Sequence, residues 1–198
     1  MPTEVLLPDT LSDADRAALT EELYGCHCRI FAGVSRADFV KYVINSPADD
    51  TRLFLLRDDA GTIRGYAAFH VFIKAHPDGP LAIVRIETGF ERAWRRTSAS
   101  GWFIIRQVLR VVLQYAGYRS YFLASFVHPS AYVALHRHAP QMWPSPARAT
   151  PPEVASLMDD LTEMFHMTAA AQPGTVKVGW VTRDDYKPRV ISEEARFF

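Results

Sequence analysis

The run LAIVRIETGFERAW at residues 81–94, continued by RRTSAS at 95–100 and GWFIIRQVLRVVLQYA at 101–116, decides how this chain folds. Leu81 to Trp94 is dense in β-branched and aromatic residues and reads as one long strand, with a bulge near Gly89. From Trp102 to Ala116 the period changes from two to that of a helix, with Phe103, Ile104, Val108, Val111, Val112 and Tyr115 along one face. Gly117 supplies its C-terminal stop. Tyr121 to Val127 follows as a short apolar strand, and a helical crossover of this length makes it parallel to the strand before the helix.

The segments upstream are antiparallel by default. Ser12 caps a first helix with an acidic opening turn that runs to Tyr24, and Ser35 opens a second over Ser35 to Ile44. Asn45, Ser46 and Pro47 stop the second. Thr51 to Arg57 and Thr62 to Lys74 form a hairpin around Asp58, Asp59 and Gly61, and His76 to Pro80 turns the chain into the strand at Leu81. Downstream, helices are expected over Ala131 to His138 and Glu153 to Met167, with a last strand at Thr175 to Arg183. No repeat and no separating linker is evident, so one α/β (α+β) domain spans residues 1–198, built on a mixed, mostly antiparallel sheet.

Composition narrows the function classes. The 22 Lys plus Arg balance 22 Asp plus Glu, so no global positive field draws the chain to nucleic acid. Cys26 and Cys28, with only His27 between them, suit neither an easy disulfide nor a zinc knuckle, which points to a reducing, cytoplasmic setting and no metal. Met1 to Thr10 lacks a basic leader and an apolar run, and no window reaches about 18 apolar residues, so neither a signal peptide nor a membrane partner is expected.

The loop before the long helix holds the chemistry. Small residues let a ligand approach the backbone, the first N–H groups of a helix point outward, and the helix dipole favours an anion there. Arg95 and Arg96 add charged donors, and Thr97, Ser98 and Ser100 add hydroxyls. A capped helix start with solvated arginines accounts for the same residue types.

Arg96, Ala99 and Gly101, in their order of elements, resemble the phosphate loop of the GCN5-related N-acetyltransferase family, whose pattern is Arg or Gln, two residues, Gly, one residue, Gly or Ala. The resemblance covers about residues 12 to 183 by architecture more than by identity. It implies about six to seven strands flanked by helices, and acetyl-CoA or another acyl-CoA as donor substrate. The acceptor it implies is a primary amine on a small molecule or peptide, and a homodimer is compatible with it. The diphosphate would lie on Arg95, Arg96, Thr97, Ser98, Ala99, Ser100, Gly101 and Trp102, and the pantetheine arm along a free strand edge at Phe90 to Trp94. An N–H near Phe90 or Glu91 would meet the oxyanion, and His128 stands at the family's Asn position. Glu87 is the candidate base, Glu91 the second choice, although a carboxylate facing solvent from an alternating strand explains Glu87 equally. The family's tyrosine acid falls on Leu135, flanked by Tyr132 and His136, the candidates for that role. Ala99 in place of glycine and the displaced tyrosine leave an alternative, a non-catalytic CoA-binding or protein-interaction module on the same scaffold.

Overall fold

The computed structural model describes residues 2–95, 98–127, 129–139, 141–145, 147–168, 176, 177, 179 and 181–183. The chain, read from sequence as one domain over 1–198, divides into two compact units, 1–124 and 125–198. The first unit contains β1 (Thr3–Leu6), α1 (Asp13–Ile30), β2 (Phe31–Ala32), α2 (Arg36–Phe39), β3 (Asp50–Arg57), β4 (Ile63–Lys74), β5 (Leu81–Phe90), α3 (Ser98–Gln114) and β6 (Arg119–Phe122). Among the described residues its sheet has five strands in the order β1-β3-β4-β5-β6. All neighbours are antiparallel except β5 and β6, which run parallel.

Two apolar layers cover the sheet. On one face Phe54, Leu56, Ala67, Phe69, Val71, Ala82 and Val84 pack with Phe103 and Val111 of α3. On the other, alternate strand residues such as Leu53, Leu55, Tyr66, Ala68 and Ile83 are buried, together with Leu23, Cys26, His27 and Ile30 of α1 and Phe39 of α2. The period-two alternation of β3, β4 and β5 therefore serves two cores rather than one core and solvent.

Local chemistry sets the element ends. Ser12 Oγ accepts from the Asp15 N–H at 3.1 Å and starts α1. The helix passes Gly25, which costs about 1 kcal/mol relative to alanine, and runs to Ile30 because Cys26, His27 and Ile30 bury their side chains. Ser35 Oγ caps α2 through the Asp38 N–H, and the chain then winds as a π-turn over Val40–Ile44. At the β3–β4 turn, Asp58 Oδ1 accepts from the N–H groups of Ala60 and Thr62.

Three expectations change. The strand at Leu81 stops at Phe90 rather than Trp94, because Glu91 is drawn into ion pairs with Arg29 and Arg64 and Arg92–Trp94 closes into a 3-10 turn. α3 begins at Ser98, and its buried stripe is Phe103, Gln107 and Val111, while Val108 and Val112 face outward. The strand expected at Tyr121 to Val127 is Arg119–Phe122, since β6 pairs only with Leu81 to Val84. Strand β1 lacks a sequence signal, being a four-residue edge strand with exposed Thr3, Glu4 and Val5.

The second unit holds α4 (Pro129–His136), α5 (Pro152–Met164) and β7 (Val181–Thr182). Leu157 and Leu161 are the buried face of α5. Of the strand expected at Thr175 to Arg183, residues 175, 178 and 180 lie outside the described residues. No helix among the described residues is long and apolar enough to cross a membrane.

Candidate active site

The sheet opens at β5. Among the described residues, the last main-chain bond joining the β6 segment to it runs from the Leu123 N–H to the Val84 carbonyl, 2.9 Å. On the β4 side the Glu91 N–H donates to the Arg64 carbonyl at 3.0 Å. Since antiparallel bonding alternates along a strand, Arg85, Glu87 and Gly89 bond toward β4, and Ile86, Thr88 and Phe90 turn their N–H and C=O groups to the other edge. Among the described residues of the first unit, no strand pairs with that edge beyond Val84. An unpaired run of alternate donors and acceptors can bind an extended, amide-bearing ligand as an added strand would.

α3 begins eight residues after the end of β5. Phe90, Trp94 and Ala99 pack on the cluster that contains Phe103, which fixes where the N-terminal N–H groups of the helix lie. Ala99 fits this packing with a single methyl. Ser98 is exposed, Ser100 half-buried, and a Cβ added at Gly101 would meet nothing within 4 Å. Arg95 Nε donates to the Phe90 carbonyl at 3.0 Å, which holds its guanidinium at the end of β5. Trp102 is 64% exposed. Arg96, Thr97 and His128 lie outside the described residues.

Glu87 sits on the α1 side of β5, one residue from the open edge groups, with its side chain 16% exposed. It does not simply face solvent. Its Oε2 lies 3.1 Å from Nε2 of His70, a fully buried histidine of β4. His70 Nδ1 is in turn 2.9 Å from the Thr51 hydroxyl on β3. Arg85 Nη2 stands 3.9 Å from Glu87 Oε1. The sequence singles out Glu87 and does not point to His70 or Thr51, because only the register Ala68↔Glu87 and Thr51↔His70 brings the three to one face. The one sequence signal was a histidine between Phe69 and Val71 in an apolar strand.

Glu91 departs from its expected place. Its carboxylate meets Arg29 Nε at 2.7 Å and Arg64 Nη1 at 3.3 Å, and its N–H is used by Arg64, so it offers neither a base nor an oxyanion donor.

No family model and no curated protein matches the chain. Solved structures do. It is similar to an aminoglycoside antibiotic 6'-N-acetyltransferase from Acinetobacter baumannii, at 12% identity over 76% of this chain and 96% of that one, TM-score 0.47. A second aminoglycoside 6'-N-acetyltransferase, from Acinetobacter haemolyticus, gives 12% identity over 76% and 97%, TM-score 0.46. An acetyltransferase of Trypanosoma brucei gives 15% over 76% and 100%, TM-score 0.44.

In the second unit Tyr132 and His136 are brought together, their rings stacked with centroids 5.4 Å apart. The buried Tyr132 hydroxyl donates to the Pro144 carbonyl at 3.0 Å, so its proton is engaged in holding that loop. His136 Nε2 lies 3.3 Å from the Ser145 hydroxyl. On α1, burial pushes the Cys26 thiol up to about 12, which keeps it protonated and removes it as a nucleophile at neutral pH.

Proposed function

We propose that the chain is an acyl-CoA-dependent acyltransferase that moves acetyl from acetyl-CoA to a primary amine by direct transfer. The observation that carries this reading is the edge of β5 from Ile86 to the Phe90 N–H, with which no strand pairs among the described residues of the first unit, one residue from the half-buried carboxylate of Glu87. Each part has a task in such a reaction. The helix start and the hydroxyls of Ser98 and Ser100 suit a diphosphate. The edge suits the amide-bearing pantetheine arm, whose groups complete the ladder that β6 leaves unfinished.

With a thioester along the edge, the outward N–H of Phe90 is the donor available to the carbonyl oxygen as it gains charge, an interaction that can be worth about 3 kcal/mol in the transition state. Glu87 accepts the proton that the amine loses as its nitrogen bonds to the carbonyl carbon. The carbon–sulfur bond then breaks, and the leaving thiolate takes up a proton from the Glu87 carboxyl or from water, which returns Glu87 to its starting carboxylate. Holding amine, thioester and carboxylate together supplies most of the acceleration, and the base supplies about 100-fold or more.

The test is release of free thiol from acetyl-CoA with a panel of amines. Glu87→Gln is expected to lower kcat by about 100-fold while leaving CoA affinity within about twofold, and to remove the acidic limb of the pH–rate profile. Full turnover with that limb intact in Glu87→Gln would remove Glu87 from the mechanism. Stoichiometric CoA binding with no thiol release by the natural chain would make the fold a binding module.

A further inference from the structure

Two buried polar atoms face one another across the sheet. His70 Nε2 and Glu87 Oε2 are 3.1 Å apart, each is shielded from solvent, and neither has a hydrogen-bond partner among the described residues. The short approach is therefore off the line of a formed bond. Leaving such groups unsatisfied is costly, of order 1–3 kcal/mol each, and a small rotation of the Glu87 side chain satisfies both at once.

The proton on the ring follows from its other side. His70 Nδ1 lies 2.9 Å from Thr51 Oγ1. If Nδ1 carried the proton, the lone pair of Nε2 would point at an anionic oxygen in a buried site, a repulsive arrangement. If the Thr51 hydroxyl donates to Nδ1 instead, Nε2–H is free to donate to Glu87, and every group has one complementary partner. We infer that Thr51 fixes His70 as the Nε2–H tautomer, and that His70 holds Oε2 of Glu87, leaving Oε1 to take the proton from the attacking amine.

This deepens the transferase reading and rests on it. His70 is a positioning residue, not a catalytic one. In the attack the proton passes from the amine nitrogen to Oε1. The other titratable or charged groups on this face among the described residues include Arg85 of β5, 3.9 Å from Oε1, the hydrogen-bonded pair of Tyr66 on β4 and His27 on α1, the thiols of Cys26 and Cys28 on α1, and Glu91 with its partners Arg29 and Arg64.

The experiment has two arms. In the first, the full chain with 15N-labelled histidine is observed by long-range proton–nitrogen correlation at pH 7, with His70 assigned by its loss in His70→Gln. A neutral ring protonated at Nε2 is expected, and Thr51→Val should weaken that preference. A ring protonated at Nδ1, or at both nitrogens, overturns the inference. This arm needs no substrate.

In the second, His70→Leu is expected to lower kcat by about tenfold or more with KM for acyl-CoA changed by less than about twofold. His70→Gln, whose amide N–H can reach toward Oε2, should restore most of the rate, as Thr51→Ser should for Thr51→Val. Unchanged kcat in folded His70→Leu, or no rescue by a folded His70→Gln, overturns the positioning role. A natural chain that shows the Nε2–H ring but no thiol release with any amine overturns the transferase reading and leaves the proton arrangement standing.

Discussion

His27 shows what burial does to a single titratable side chain here. It is fully buried in α1, its Nδ1 2.7 Å from the Tyr66 hydroxyl and its ring packed against Phe39. Desolvation lowers its pKa from 6.5 to about 4. The folded chain resists this proton and the unfolded chain takes it up, so the contribution of His27 is whole above 6.5 and is lost as pH falls toward 4. The slope within that window is about 1.4 kcal/mol per pH unit. Urea unfolding of the natural chain across that window should show the loss, and His27→Gln should lack that component. Parallel pH dependence in the two proteins would mean that the ring is already charged in the fold. Glu87 is the contrasting residue, a carboxylate with Oε2 beside a buried histidine and Oε1 3.9 Å from Arg85 Nη2. The loss of turnover expected for Glu87→Gln and the rescue expected between His70→Leu and His70→Gln are tests of that one carboxylate.

At the scale of elements, β5 owes its open edge to where its neighbours stop. β6 ends at Phe122, and on the other side the Phe90 ring fills the space over Gly65 of β4. A Cβ at residue 65 would lie 2.1 Å from Phe90 Cδ1, so Gly65→Ala must displace that ring. The expected cost is about 1–3 kcal/mol in urea unfolding. Leu113→Gln, on the outer face of α3 where Leu113 is 78% exposed, should stay within about 0.5 kcal/mol. A reversed order of the two would contradict the burial described for β5 and α3.

The strand–loop–helix order around residues 81–116 was legible because its period changes within a few residues, and Ser12 and Ser35 marked two helix starts by their capping chemistry. The buried face of α3 was not. Its apolar residues encircle much of the helix, and only packing selects Phe103, Gln107 and Val111 over Val108 and Val112. The end of β5 was hidden for a related reason, since Arg29 and Arg64, distant in sequence, capture Glu91. Glu87 was legible as a carboxylate near the loop, whereas its partners His70 and Thr51 depend on a register that no local pattern carries.

Across the whole molecule, the groups assigned to acyl transfer lie in the unit formed by residues 1–124. That unit builds both cores and the sheet between them, while Tyr132 and His136, with their partners Pro144 and Ser145, belong to the unit formed by residues 125–198. With 22 basic and 22 acidic residues, recognition of an anionic donor depends on local donors and not on overall charge. Those donors are the main-chain groups of β5 and the start of α3, and they can be watched directly. Hydrogen exchange of individual amides should be followed by NMR in the full chain, alone and with coenzyme A in large excess. Slowed exchange at Ile86, Thr88 and Phe90 and over residues 98–102, with α1 unchanged, is the result this account predicts. Exchange at those amides that coenzyme A leaves untouched would contradict it.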